Sequence, residues 1–129
     1  MHYAGSMDKT AENLKVRTKR FAVAVLDFVD TLPRTPSGNA VARQLARSGL
    51  GVAGNYRGAC RGRSHTEFTA RLGVVLEEAD ESQLWIEVCD DRKMSEAKQR
   101  PWLLDESGQL CAIFSKACTP ARIREHGKR

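Results

Sequence analysis

At 129 residues, with 41% hydrophobic residues and a mean hydropathy of −0.46, the chain has the make-up of one soluble globular domain, not of a disordered polyelectrolyte. No apolar run approaches the ~18–20 residues of a membrane span, and no apolar stretch follows the N-terminus as in a secretory leader. The net charge of +5 is uneven, with 11 basic and 4 acidic side chains over residues 1–66 but 10 and 12 over residues 67–129. Surplus positive charge in one half points to an anionic partner.

Residues 1–6 (MHYAGS) precede a second methionine, Met7, and read as an expression remnant. The first helix is predicted from Asp8 to Leu32, where Leu14, Phe21 and Phe28 recur at seven-residue spacing and interleave with Val25 and Leu32. From Phe21 to Val29 its one polar residue is Asp27, and a helix apolar almost all round is normally covered on more than one side. The prolines at 33, 36, 101 and 120 delimit the next segments, because proline inside a helix costs ~3 kcal/mol. A second helix is predicted from Gly38 to Ala59. Ser64 then precedes Glu67 by three residues, the signature of a capping box, so a third helix starts at His65 and runs to Arg92. Its seam is Phe68, Leu72, Val75, Ala79, Ser82, Ile86 and Cys89. The fourth helix starts near Pro101 and is striped by Leu103, Leu104, Leu110, Cys111, Phe114 and Cys118. Short links between long amphipathic helices predict an all-α, antiparallel up-down four-helix bundle over residues 7–119, with a frayed basic tail over 120–129.

Charge is segregated along this frame. Between Asp30 and Glu67 there is no carboxylate, yet Arg34, Arg43, Arg47, Arg57, Arg61 and Arg63 lie there. Glu77, Glu78, Asp80, Glu81 and Glu87 follow, with no Lys or Arg between Arg71 and Arg92. The second and third helices therefore sit side by side with part of their charge neutralised internally. Glu78, Glu81 and Asn55 are predicted to form a half-buried polar network with Arg43 or Arg47, since buried charge persists when paired. Arginines left over face outward.

Gly49 to Gly54 spells G-x-G-x-x-G, but a dinucleotide loop needs a preceding strand, and Val41 to Arg47 is helical in pattern. Gly49, Gly51 and Gly54 together with Gly58 would cost a helix roughly 3–4 kcal/mol, which close approach of a neighbouring helix would offset. The three histidines, His2, His65 and His126, are not placed for a metal-binding bundle, so no metal and no cofactor are expected. Cys60, Cys89, Cys111 and Cys118 contain no C-x-x-C pair and read as small core residues of a reducing cytoplasm. No nucleophile–base arrangement can be composed, so no enzymatic activity is expected.

Arg57, Arg61 and Arg63 close the second helix and enter the loop, within reach of a polyanion backbone, while Lys15, Arg17, Lys19 and Arg20 form a second basic group on the first helix. Few planar aromatics are available for base stacking, so nucleic-acid binding would be led by the phosphate backbone and sensitive to salt. The candidate contacts are Arg57, Arg61, Arg63, Arg43, Arg47, Lys15, Lys19 and Arg20.

The ordered set Arg43-Gln44-Leu45-Ala46-Arg47-Ser48-Gly49, Gly54-Asn55-Tyr56-Arg57, Phe68 and Glu77-Glu78-Ala79-Asp80-Glu81-Ser82 with Trp85 resembles the four helix bundle proteins encoded by intervening sequences of 23S rRNA genes, the S23-like family. The resemblance spans roughly residues 10–118. It implies a homopentameric barrel of up-down bundles with no established enzymatic activity. Accessory proteins of diversity-generating retroelements are similar in architecture and bind nucleic acid and a reverse transcriptase through basic surfaces. Two departures stand out: family members usually carry Glu where this chain has Gly58, and Ser where it has Gly51. The missing carboxylate is expected to leave Arg57 less neutralised. Together these readings predict a cytoplasmic, non-catalytic homo-oligomer that binds RNA or DNA, with a reverse transcriptase as a further partner. A protein scaffold without a nucleic-acid role is the alternative, and a small-molecule enzyme working in the bundle core is a third.

Overall fold

The computed structural model describes residues 8–96 and 98–127, with side chains for 9–96 and 98–119. Four helices follow in order, α1 (Asp8–Val29), α2 (Pro36–Cys60), α3 (His65–Arg92) and α4 (Gln99–Gly127), and no strand occurs among the described residues. The remnant expected at residues 1–6 lies outside them.

Local chemistry sets the ends. Thr35 caps α2 by accepting a hydrogen bond from the Gly38 N–H at 3.1 Å, and Pro36 occupies the first turn, where its missing donor is harmless. The α2 start therefore falls two residues before the predicted Gly38. Ser64 caps α3 by accepting from the Glu67 N–H at 3.1 Å. The Glu67 carboxylate reaches past the cap and accepts the Arg63 N–H at 2.7 Å, a variant of the expected reciprocal box. α3 ends at Lys93, which adopts the left-handed conformation with φ 48°. α1 stops at Val29, not Leu32, because Thr31 and Leu32 turn out of the helix with N–H bonds to Phe28 and Val29. α4 continues through Pro120 to Gly127, where the sequence predicts a break. Proline's fixed φ is helical, so the backbone can run through it at the cost of one donor and of crowding against the carbonyl four residues before.

Partner positions fix the directions. Along α2 and α3, Arg47 and Ser48 meet Glu81 and Ser82, while Asn55, two turns further on, meets Arg71, so from one end of the seam to the other one number rises as the other falls. The same descent runs from Arg17 with Glu106 on α1 and α4 to Thr31 with Ser95 just after α1 and before α4, and α3 and α4 meet at Asp90 with Arg100 and again where Gly108 faces Gln83. The helices are antiparallel to their neighbours, and α1 closes the ring on α4.

The seams bury what periodicity predicts. Phe21, Val25 and Phe28 from α1, Leu45 and Val52 from α2, Val75 and Ile86 from α3, and Leu103, Leu110 and Phe114 from α4 form the core. Each large side chain so buried contributes about 1.5–3 kcal/mol. Close approach is built into the α1–α2 seam. A Cβ on Gly49 would stand 2.8 Å from the Val25 side chain, so glycine here is the fee for bringing the two helices together. Gly54 is different, since nothing lies within 4 Å of the place its Cβ would take. Gly54→Ala is expected to raise stability by about 0.5–1 kcal/mol, visible as a higher midpoint in urea, because helix propensity improves at no steric cost.

The predicted cover over α1 is not supplied by the described residues. Val16 and Val23 are 67% and 51% exposed, and Leu26 is exposed beside them. Phe21, Val25 and Phe28 face the core while this second apolar side looks outward.

Candidate nucleic-acid interface

The α2 sequence places Arg43, Arg47, Leu50, Gly54, Arg57 and Arg61 at intervals of three and four, which is one stripe of a helix. All six are exposed. From Arg43 to Arg57 the stripe extends about 21 Å at 1.5 Å per residue. Arg63 follows in the α2–α3 loop and is exposed as well.

Internal pairing decides which of these cations remain available. Arg47 does not. Its guanidinium is hydrogen-bonded to Glu81, stands 3.7 Å from Glu78 and meets Gln44 at 3.1 Å. Trp85 completes the cluster by donating its indole N–H to Glu81 at 3.3 Å. Arg47 is therefore removed from the candidate contacts: two carboxylates already face it. Lys15 shares its charge with Glu12 at 3.1 Å, an exposed i,i+3 pair of little energetic weight. Arg20 lies over the Trp102 ring, 5.1 Å from its centroid, a cation–π contact that leaves the charge intact. Among the described residues no carboxylate lies within ion-pair distance of Arg43, Arg57, Arg61, Arg63 or Lys19.

The predicted polar network divides in two. Glu78 and Glu81 hold Arg47, whereas Asn55 belongs to a separate pair. Its amide donates to the Gly51 carbonyl at 2.8 Å and accepts from Arg71 at 3.0 Å. Gly58, one turn further along α2, faces the Arg71 guanidinium, which lies 3.5–3.6 Å from the place of its Cβ. A side chain at this position would therefore meet Arg71 first.

Burial pushes the Glu78 carboxyl above its ordinary range; Arg47 opposes this, and Glu81 and Glu77 add to it. A carboxyl raised in the folded state binds its proton more readily there, so its contribution to stability falls as pH rises from the unfolded value of ~4.3 through the raised folded value. Glu78→Gln is expected to unfold at higher urea than the natural chain at pH 7, and the gap should close near pH 4. A constant gap across that range would show that desolvation is not its cause.

Two features escape the sequence reading. Arg17 makes a bidentate contact with Glu106, both bonds 2.8 Å, and also meets Gln109 at 2.7 Å. Glu106 is buried, and the bond to it holds Arg17 still more firmly charged than usual. Arg17 is therefore a strut between α1 and α4 rather than a surface cation. The second is Arg71. Among the described residues no group of three or more His, Cys, Asp or Glu side chains is gathered as for a metal. Cys89 and Cys111 are pushed up to about 11 by burial, which makes them poor nucleophiles at neutral pH.

This architecture has a solved counterpart. A Bacteroides thetaiotaomicron VPI-5482 protein of unknown function, from the S23 ribosomal protein family, superposes with a TM-score of 0.75. The chain has the fold of that S23-family protein. The match covers 84% of this chain and 97% of the other at 21% identity, so it speaks for the four-helix fold alone. No family model and no curated protein matches the sequence. No helix among the described residues is long and apolar enough to cross a membrane.

Proposed function

We propose that this protein is a non-catalytic, self-associating accessory factor that holds RNA or DNA by its phosphate backbone. The observation that carries the proposal is the set of exposed arginines, Arg43, Arg57, Arg61 and Arg63, unmatched by any carboxylate among the described residues. Lys15 and Lys19 extend the basic surface across a shallow groove of about 190 Å³ that ends at Arg57. Guanidinium groups without counter-ions release condensed cations from a polyanion when they bind it, and that gain is indifferent to base sequence. Base readout has no comparable support here, since the groove is lined by Lys15, Lys19, Ala53, Gly54 and Arg57 and offers no aromatic platform.

Self-association follows from the uncovered side of α1. Val16, Val23 and Leu26 leave an apolar strip that a second copy would cover, in line with a closed homo-oligomer such as the pentamer implied by the S23-like resemblance. Five copies would carry a net charge of about +25, a field that steers polyanions. Retroelement accessory proteins of similar architecture make a reverse transcriptase a fitting protein partner.

Fluorescence anisotropy with labelled single-stranded RNA and duplex DNA tests the binding. Micromolar dissociation constants at about 50 mM salt are expected for both, with little dependence on base sequence. No binding at that ionic strength would favour a protein scaffold instead. Sedimentation equilibrium tests assembly, where a strictly monomeric species would contradict it.

A further inference from the structure

We propose that the cleft between the end of α2 and the start of α3 is a discrete phosphate-binding site built on Arg71, a residue outside the arginine stripe. The cleft is open to solvent, has a volume of about 640 Å³ and is lined by Asn55, Gly58, Arg61, Arg63, Glu67 and Arg71 among others. Three guanidinium groups face one carboxylate. That carboxylate, Glu67, already accepts the Arg63 N–H at 2.7 Å, and no ion pair joins it to any of the three arginines.

The mounting of Arg71 is what distinguishes the cleft from a merely basic surface. A guanidinium fixed for structural reasons usually meets a carboxylate, as Arg17 and Arg47 do. Arg71 meets the neutral amide of Asn55, which is itself fixed by its bond to the Gly51 carbonyl. One of the five N–H donors of the guanidinium is used to orient it, and its full charge is kept for a ligand. Gly58 adds the space. Its lack of a side chain lets the Arg71 guanidinium lie over the α2 backbone, with Arg61 and Arg63 on the same cleft. An arginine oriented without being neutralised is suited to a planar, bidentate grip on phosphate oxygens.

The cleft thus deepens the proposed function and rests on it for the source of the phosphate, the backbone of a nucleic-acid strand. Asn55 acts as a positioning residue through Arg71. Three variants separate the idea from folding. Arg71→Ala removes the anchor, and Asn55→Asp neutralises it with a near-isosteric side chain. Gly58→Glu brings a carboxylate beside it while improving helix propensity, so its thermal midpoint should rise. Each is expected to weaken binding of a labelled 20-nucleotide RNA by about tenfold or more, whereas Arg43→Ala, at the far end of α2, should cost less than about threefold. In parallel, inorganic phosphate titrated into the natural protein should shift the Arg71 Nε–Hε NMR signal saturably.

Unchanged RNA affinity in the three variants would overturn the cleft while leaving the wider surface reading intact. A saturable phosphate shift at Arg71 in a protein that binds no RNA would support the cleft and remove the nucleic-acid reading. Neither RNA binding nor a shift at Arg71 would end both.

Discussion

Arg17→Ala is expected to cost about 2–3 kcal/mol of stability, the largest effect of any single change outside the hydrophobic seams. Glu106 is 7% exposed, and both of its oxygens rest on Arg17. Removing the guanidinium leaves a largely buried carboxylate without its partner, which is the costly case. Part of the cost is relieved because Arg17 itself is one third exposed, so the loss falls below the ~3–5 kcal/mol of a fully buried pair. For a domain of this size the thermal midpoint should drop by about 6–12 °C. Replacing both partners together, Arg17→Met with Glu106→Leu, should recover most of the loss, because an apolar pair leaves nothing unpaired. A deficit that survives in the double variant would point to packing of the arginine stem instead.

The second large effect concerns binding. Replacing Arg57, Arg61 and Arg63 together by alanine is expected to weaken RNA and DNA binding by about 30- to 100-fold at low salt. All three are exposed, and no carboxylate among the described residues is deprived of a partner by their loss. Stability should therefore change by less than about 0.5 kcal/mol for each, so that binding and folding separate cleanly. The dependence of affinity on salt should become shallower by about 2 in the log–log slope, since each phosphate contact contributes about 0.7–0.9. The same measurement on Arg47→Ala should move the slope far less, because Glu81 and Glu78 already claim that charge. An Arg47 effect as large as the triple one would mean that the ion pairs open when a strand arrives.

How much of this was legible in the sequence depends on the spacing of the residues involved. The helices and their seams were, because the three-and-four alternation of Leu72, Val75, Ala79, Ser82, Ile86 and Cys89 is a property of neighbours, and all six are buried. The α3 start was legible for the same reason, as Ser64 and Glu67 lie within one turn. The partner of Arg17 was not. It is 89 positions away, and pairing between helices has no local pattern. One clue was present: Glu106 falls between Leu103 and Leu110 on the buried side of α4, where an acid requires a cation. Arg71 was passed over because an isolated cation in an acidic helix looks like ordinary surface. Asn55 and Gly58 share a face of α2 at a spacing of three, and that small, polar notch was the sign that something from α3 enters it. The exposed strip on α1 lay beyond any single-chain argument, since an all-round apolar helix reads the same whether its cover comes from its own bundle or from a second copy.

The central claim is that unmatched guanidinium groups on α2 and the loop after it act on phosphate and not on bases. The salt dependence of binding by the natural protein tests it most directly. Plotted as log affinity against log salt for a mixed-sequence RNA from about 50 to 300 mM, the account predicts a steep negative slope of about 2–4, shared by unrelated sequences. An affinity flat across that range, or steep for one sequence alone, would contradict it.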